Sequence, residues 1–71
     1  MKRFEVVFTP DESGWHVEIP SVQGCHSWGR SLAAARRHIR EALATCADVF
    51  GEDAADVARE AELVERYDPR A

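Results

Sequence analysis

The sequence predicts an α+β domain: three short antiparallel strands with one helix packed on one face. Three observations carry this. Apolar residues alternate with polar ones over residues 3–9 and again over 15–19. A Pro- and Gly-bearing corner, PSVQGCHSWG, follows the second run. From Leu32 the apolar spacing changes from two to three-and-four. The 71 residues make a single domain, 1–71, whose core is small. A core of this size supplies only about 3–5 kcal/mol by itself, so self-association is the expected further source of stability.

In the first run Phe4, Val6 and Phe8 point one way and Glu5, Val7 and Thr9 the other, the pattern of a half-buried strand. Thr9-Pro10-Asp11-Glu12-Ser13-Gly14 has the chemistry of a turn. In the second run Trp15, Val17 and Ile19 share a face opposite His16 and Glu18, so the two runs form a hairpin. Pro20 stops the second strand, Gly24 lets the chain turn back, and Cys25 to Trp28 form a short third strand that Gly29 breaks.

Ser31 is placed to cap a helix. Leu32, Ala35, Ile39, Ala42, Leu43, Cys46 and Phe50 form its apolar stripe, with Arg36, Arg37, Arg40, Glu41 and Ala44 on the other side and Gly51 as the C-terminal cap. Arginines in its first half oppose the macrodipole, so packing must hold this helix on the sheet. The tail, GEDAADVAREAELVERYDPRA, has helical composition, yet Ala61, Leu63, Glu65 and Tyr67 also fit alternate positions of a strand. Pattern does not decide between them.

Cys25 beside His26 raises the question of catalysis or metal binding. Neighbours on a strand point to opposite faces, so the two do not share a site. His16 and His26 could share the outer face of neighbouring strands, but two ligands are too few for a closed zinc site, and no ligand spacing is present. No catalytic residue, metal site or cofactor is expected. Pro20, Gly24, Cys25, Gly29 and Ser31 read instead as a structural corner. Parity puts Val7, His16, His26 and Trp28 together on the sheet face away from the helix, a candidate interface for a partner or a second copy. The alternative for Trp28 is that it covers the hairpin.

Net charge is −4, and from Glu41 to Asp68 nine acids face only Arg59 and Arg66, a balance that suits a basic partner. Arg30, Arg36, Arg37 and Arg40 form the one basic cluster, a possible nucleic-acid contact or simply a solvated helix face. The N-terminus has no signal-peptide pattern and no segment is long enough to span a bilayer, so the expectation is a cytoplasmic protein with reduced thiols and no membrane partner.

The order of these segments resembles the HicB-like antitoxin family. Its pattern D-x-x-G-x-x-V-x-x-P is met by Asp11, Gly14, Val17 and Pro20. Gly24, Cys25, Gly29 and Ser31 meet the next motif, and Ala35, Ile39, Glu41, Ala42 and Leu43 the alanine-rich helix. The resemblance implies a truncated ribonuclease-H-like fold, β-β-β-α-β, and so favours a fourth strand at about residues 60–67, after a short turn of helix near 53–57. It implies an antitoxin that is no enzyme. Its partner would be a small basic HicA-type toxin that cleaves messenger RNA with a histidine, and the antitoxin would cover that site. Two departures stand out. Ala33 and Ala34 occupy positions where acids are common in the family, and the chain ends too soon for a separate DNA-binding domain, so operator DNA is not an expected partner. A stand-alone oligomeric domain without a toxin, or a nucleic-acid binder using the arginine cluster, are the alternatives. A homo-oligomer, dimer or larger, is expected through the outer sheet face or an exposed strand edge.

Overall fold

The computed structural model describes residues 3–46 and 54–68. Its elements run β1 (Arg3–Pro10), β2 (Trp15–Glu18), β3 (His26–Gly29), α1 (Leu32–Cys46), α2 (Ala54–Glu60) and β4 (Glu62–Tyr67). The four strands form one sheet in the order β3-β2-β1-β4. The first three are antiparallel, with Phe8 opposite Val17 and His16 opposite Trp28. β4 lies parallel to β1, so the sheet is mixed, with Phe4 opposite Leu63 and Phe8 opposite Tyr67. A parallel partner needs a crossover, and α1 with α2 supplies it.

The tail therefore holds both alternatives in turn: one short helix, then a strand beginning two residues later than expected. Phe50 and Gly51, read as the end of the stripe and its cap, lie outside the described residues.

Alternation places the core as expected. Phe4, Val6 and Phe8 of β1 and Val17 and Ile19 of the second run are buried against Ala35, Ile39 and Leu43 of α1. Ala58 and Ala61 close one end. Ala44, expected on the solvent side, packs against the core, because α2 lies along that flank of α1.

The corner between β2 and β3 is two consecutive turns. The Val22 amide donates to the Ile19 carbonyl at 3.0 Å, with Pro20 presetting the bend, and the Cys25 amide donates to the Val22 carbonyl at 3.0 Å. Gly24 takes φ +79°, the left-handed conformation that the third position of the second turn demands. The Ile19 amide then donates to the Cys25 carbonyl at 2.9 Å and ties the ends together. Val22, between the turns, is buried, a core residue that no strand or helix period reveals.

Gly29 is the last residue of β3 and not the break after it, and the strand begins at His26, one residue later than expected. Its role is space: a Cβ there would sit 2.3 Å from the Ala35 nitrogen and 2.6 Å from its Cα. The first turn of α1 thus rests directly on the end of β3. Ser31 caps it, its hydroxyl accepting from the Ala34 amide at 3.1 Å.

Candidate partner-binding face

α1 covers the sheet over β2 and β3 and makes no close backbone approach to β4. Two arginines reach across the gap. Arg36 donates from Nε to Glu65 Oε2 at 2.6 Å and from Nη2 to Glu65 Oε1 at 2.9 Å, and also to the Tyr67 hydroxyl at 3.1 Å. Tyr67 in turn donates to Glu65 at 2.5 Å and stacks on Phe8, ring centroids 5.5 Å apart. Arg40 donates to the carbonyls of Ala58 and Ala61 at 2.7 and 3.3 Å, which anchors α2 to α1. Below the arginines a cleft of about 120 Å³ is floored by Val6, Phe8, Ile39 and Leu63. Two of the four residues in the expected basic cluster are therefore engaged within the fold. Arg30 and Arg37 are exposed.

The Arg36 guanidinium holds the Glu65 carboxyl below the usual carboxylate range. Asp11 is likewise held low, first by the Ser13 amide and then by the Trp28 indole. A carboxylate with a depressed folded pKa stabilises the fold fully above its unfolded value, near pH ~4. That stabilisation is lost as pH falls through the lower folded value. Urea melts should therefore show stability falling as the pH drops below about 4. Glu65→Gln should be less stable than the parent at pH 7 and should flatten the acid slope; an unchanged slope would place the acid sensitivity elsewhere.

The opposite face of the sheet has no helix over it among the described residues. Val7, His16, His26 and Trp28 all lie on it, together with Glu5, Glu18, Val64 and Arg66. The rings of His16 and His26 stack with centroids 5.9 Å apart. Trp28 is 41% exposed. Its indole N–H donates to Asp11 Oδ2 at 2.9 Å, while Asp11 Oδ1 accepts the amides of Ser13 and Gly14 at 2.9 and 2.8 Å. Gly14 lies under the indole, where a Cβ would come within 2.6 Å of the ring. Trp28 thus both covers the hairpin turn and presents an apolar surface outward. The sequence foreshadowed the shared face through parity, but nothing in it announced the bond to Asp11.

Cys25 faces the core, on the other side of the sheet from His26. Burial first, and then its hydrogen bond with Cys46, push its thiol up to about 12. Both cysteines are free. A buried protonated thiol is a poor nucleophile, and the His16 and His26 imidazoles lie across the sheet from both thiols. Among the described residues no group of three or more His, Cys, Asp or Glu side chains is placed to hold a metal ion. In the folded protein iodoacetamide at neutral pH should alkylate half-buried Cys46 first and Cys25 at least ~100-fold more slowly than a free thiol. Peptide mapping by mass spectrometry reads this directly, and equal labelling of the two would refute the burial argument.

Among the described residues no helix is long and apolar enough to cross a membrane. Comparison with curated proteins gives no significant match, and neither does comparison with solved structures. A family model described as the HicB_like antitoxin of bacterial toxin-antitoxin system matches residues 4–70, nearly the whole chain and every element of its fold, so the chain belongs to the HicB-like antitoxin family.

Proposed function

We propose that this chain binds and neutralises a small, basic, messenger-RNA-cleaving toxin of the HicA type, through the bare sheet face centred on Trp28. The observation that carries the reading is that half-exposed indole, fixed by Asp11 on a face that no helix covers among the described residues. Aromatic residues presented rigidly lose little entropy on binding and dominate interface energetics. Glu18 lies on the same face of the neighbouring strand, and the acidic second half of the chain adds a field that steers a basic partner. Neutralisation follows by exclusion: a toxin whose catalytic histidine is covered cannot admit RNA. In this reading the truncated ribonuclease-H-like unit serves as a binding scaffold and performs no catalysis.

Engagement of Arg36 with Glu65 and of Arg40 with backbone carbonyls weighs against the arginine cluster as a nucleic-acid contact. Co-expression with the product of the neighbouring small gene should yield a stable complex and relieve that product's growth arrest. Failure to bind any small basic neighbour would favour the stand-alone oligomer. Salt-dependent RNA binding by the isolated chain would favour the nucleic-acid reading.

A further inference from the structure

β3 and β4 are the two edges of the sheet, and they differ. At β3 the Trp28 carbonyl accepts a hydrogen bond at 2.6 Å from Nδ1 of His38, on α1, so the helix shields that edge. Among the described residues no helix backbone comes close to β4, and Arg36 of α1 reaches only its inner face. The Asp68 amide donates inward to the Phe8 carbonyl at 2.8 Å. Because backbone groups alternate along a strand, those of Val64 and Arg66 also point to β1, while those of Leu63, Glu65 and Tyr67 point out of the sheet. No strand of the sheet pairs with them.

An open edge invites another strand, and charge on it usually discourages one. Here the order of charges does the opposite. Glu62, Val64 and Arg66 share the outer face, an acid and a base symmetrically placed about a valine that is 43% exposed. We propose that β4 pairs antiparallel with β4 of a second copy of this chain, about a two-fold axis at Val64, making one continuous eight-stranded sheet. In that register Val64 meets Val64, and Glu62 of each copy lies opposite Arg66 of the other. Leu63 and Glu65 fall opposite each other, and both present outward backbone groups, so they exchange amide–carbonyl bonds as a hydrogen-bonded pair. The Val64 and Glu62–Arg66 positions are the non-bonded pairs, where side chains approach most closely. Within each copy Arg66 already meets Glu5 at 3.3 Å and Glu62 meets Arg3 at 3.4 Å. The charges then alternate across the junction: Glu5, Arg66, Glu62 of the second copy, Arg3 of the second copy. Sliding the register by two residues one way would set Glu65 against Glu65, and the other way would set Glu62 against Val64; either slide separates Glu62 from Arg66, so the charge pairing favours this alignment. The surface is separate from the Trp28 patch, and the proposal stands whether or not the chain binds a toxin.

Light scattering on the intact chain should give twice the 8.0 kDa chain mass. Glu62→Arg or Arg66→Glu alone places like charges opposite each other at two symmetric positions and should weaken the dimer roughly tenfold or more. Mixing the two variants should restore it, because only the heterodimer then pairs opposite charges. Circular dichroism checks that each variant is folded. Independently of any variant, the Leu63 and Glu65 amides of the parent should gain hydrogen-exchange protection as concentration rises. A monomeric parent, unaltered association in both single variants, or concentration-independent exchange at Leu63 and Glu65 would overturn the proposal.

Discussion

Replacing Gly29 with alanine is expected to cost about 2–4 kcal/mol, most of the stability that a core of this size supplies. The added methyl would meet backbone and not side chain: the Ala35 nitrogen at 2.3 Å, its Cα at 2.6 Å and the Ala34 carbonyl carbon at 2.8 Å. A flexible side chain can swing aside, but a helix's first turn can only move as a unit. Moving it lifts Ala35, which is fully buried, out of the core and strains the Ser31 cap and the bond from the Ala35 amide to the Ser31 carbonyl. The strand end is crowded from the other side as well, since a Cβ at Gly14 would lie 2.4 Å from the Gly29 carbonyl oxygen. Gly24→Ala is the informative comparison. Its Cβ would meet nothing within 4 Å, so only the left-handed backbone penalises it, at about 1–2 kcal/mol. Urea melts should rank parent above Gly24→Ala above Gly29→Ala. A Gly29→Ala variant that melts with the parent would mean that the helix does not rest on β3.

The contrast between those two glycines shows what the sequence reveals and what it hides. Both stand out as punctuation in PSVQGCHSWG, and the turn at Gly24 follows from local rules. That Gly29 leaves room for a helix is a tertiary fact with no local sign. The strands and α1 were legible because Phe4, Val6 and Phe8 keep period two and Ala35, Ile39 and Leu43 keep the helical period. β4 was not legible from pattern, and the structure gives the reason. Its inward positions are Leu63, Glu65 and Tyr67; Leu63 packs at the edge of the core, but beyond it only the Arg36 side chain of α1 reaches, so an acid and a half-exposed tyrosine sit where a covered strand would carry apolar residues. An alternation with an acid at its centre reads as noise, and the helix-forming composition around it prevails. The family resemblance, and not the periodicity, pointed to a strand.

The candidate site divides the same way. Parity along adjacent strands is enough to gather Val7, His16, His26 and Trp28 on one face, because side-chain direction in a sheet is fixed by position. Partners that depend on chain return are hidden. Arg36 and Arg40 look like members of a solvated basic cluster until β4 and α2 come back beside them. Their spacing of four places both on the flank of α1 toward the returning chain, a signal that acquires meaning only once that chain is placed.

On the proposed function, Trp28→Ala should weaken toxin binding by about 30-fold or more, as expected for an aromatic anchor worth roughly 2 kcal/mol or above. The same residue braces the turn through Asp11 and Gly14, so a loss of affinity alone would not separate contact from scaffold. Trp28→Phe separates them. It removes the indole N–H, and with it the bond to Asp11, but keeps a ring over Gly14 and an apolar outer surface. If the ring itself is the contact, Trp28→Phe should bind within about fivefold of the parent, while its urea melting midpoint falls below the parent's through loss of the bond to Asp11. If Trp28 serves only as a brace, affinity and stability should fall together in both variants, and Asn substituted for Asp11 should weaken binding as much as loss of the indole. Calorimetric titration beside urea melts on the same samples distinguishes these outcomes. A Trp28→Ala variant that stays folded and binds like the parent would remove the sheet face from the interface and leave the toxin to another surface of the molecule.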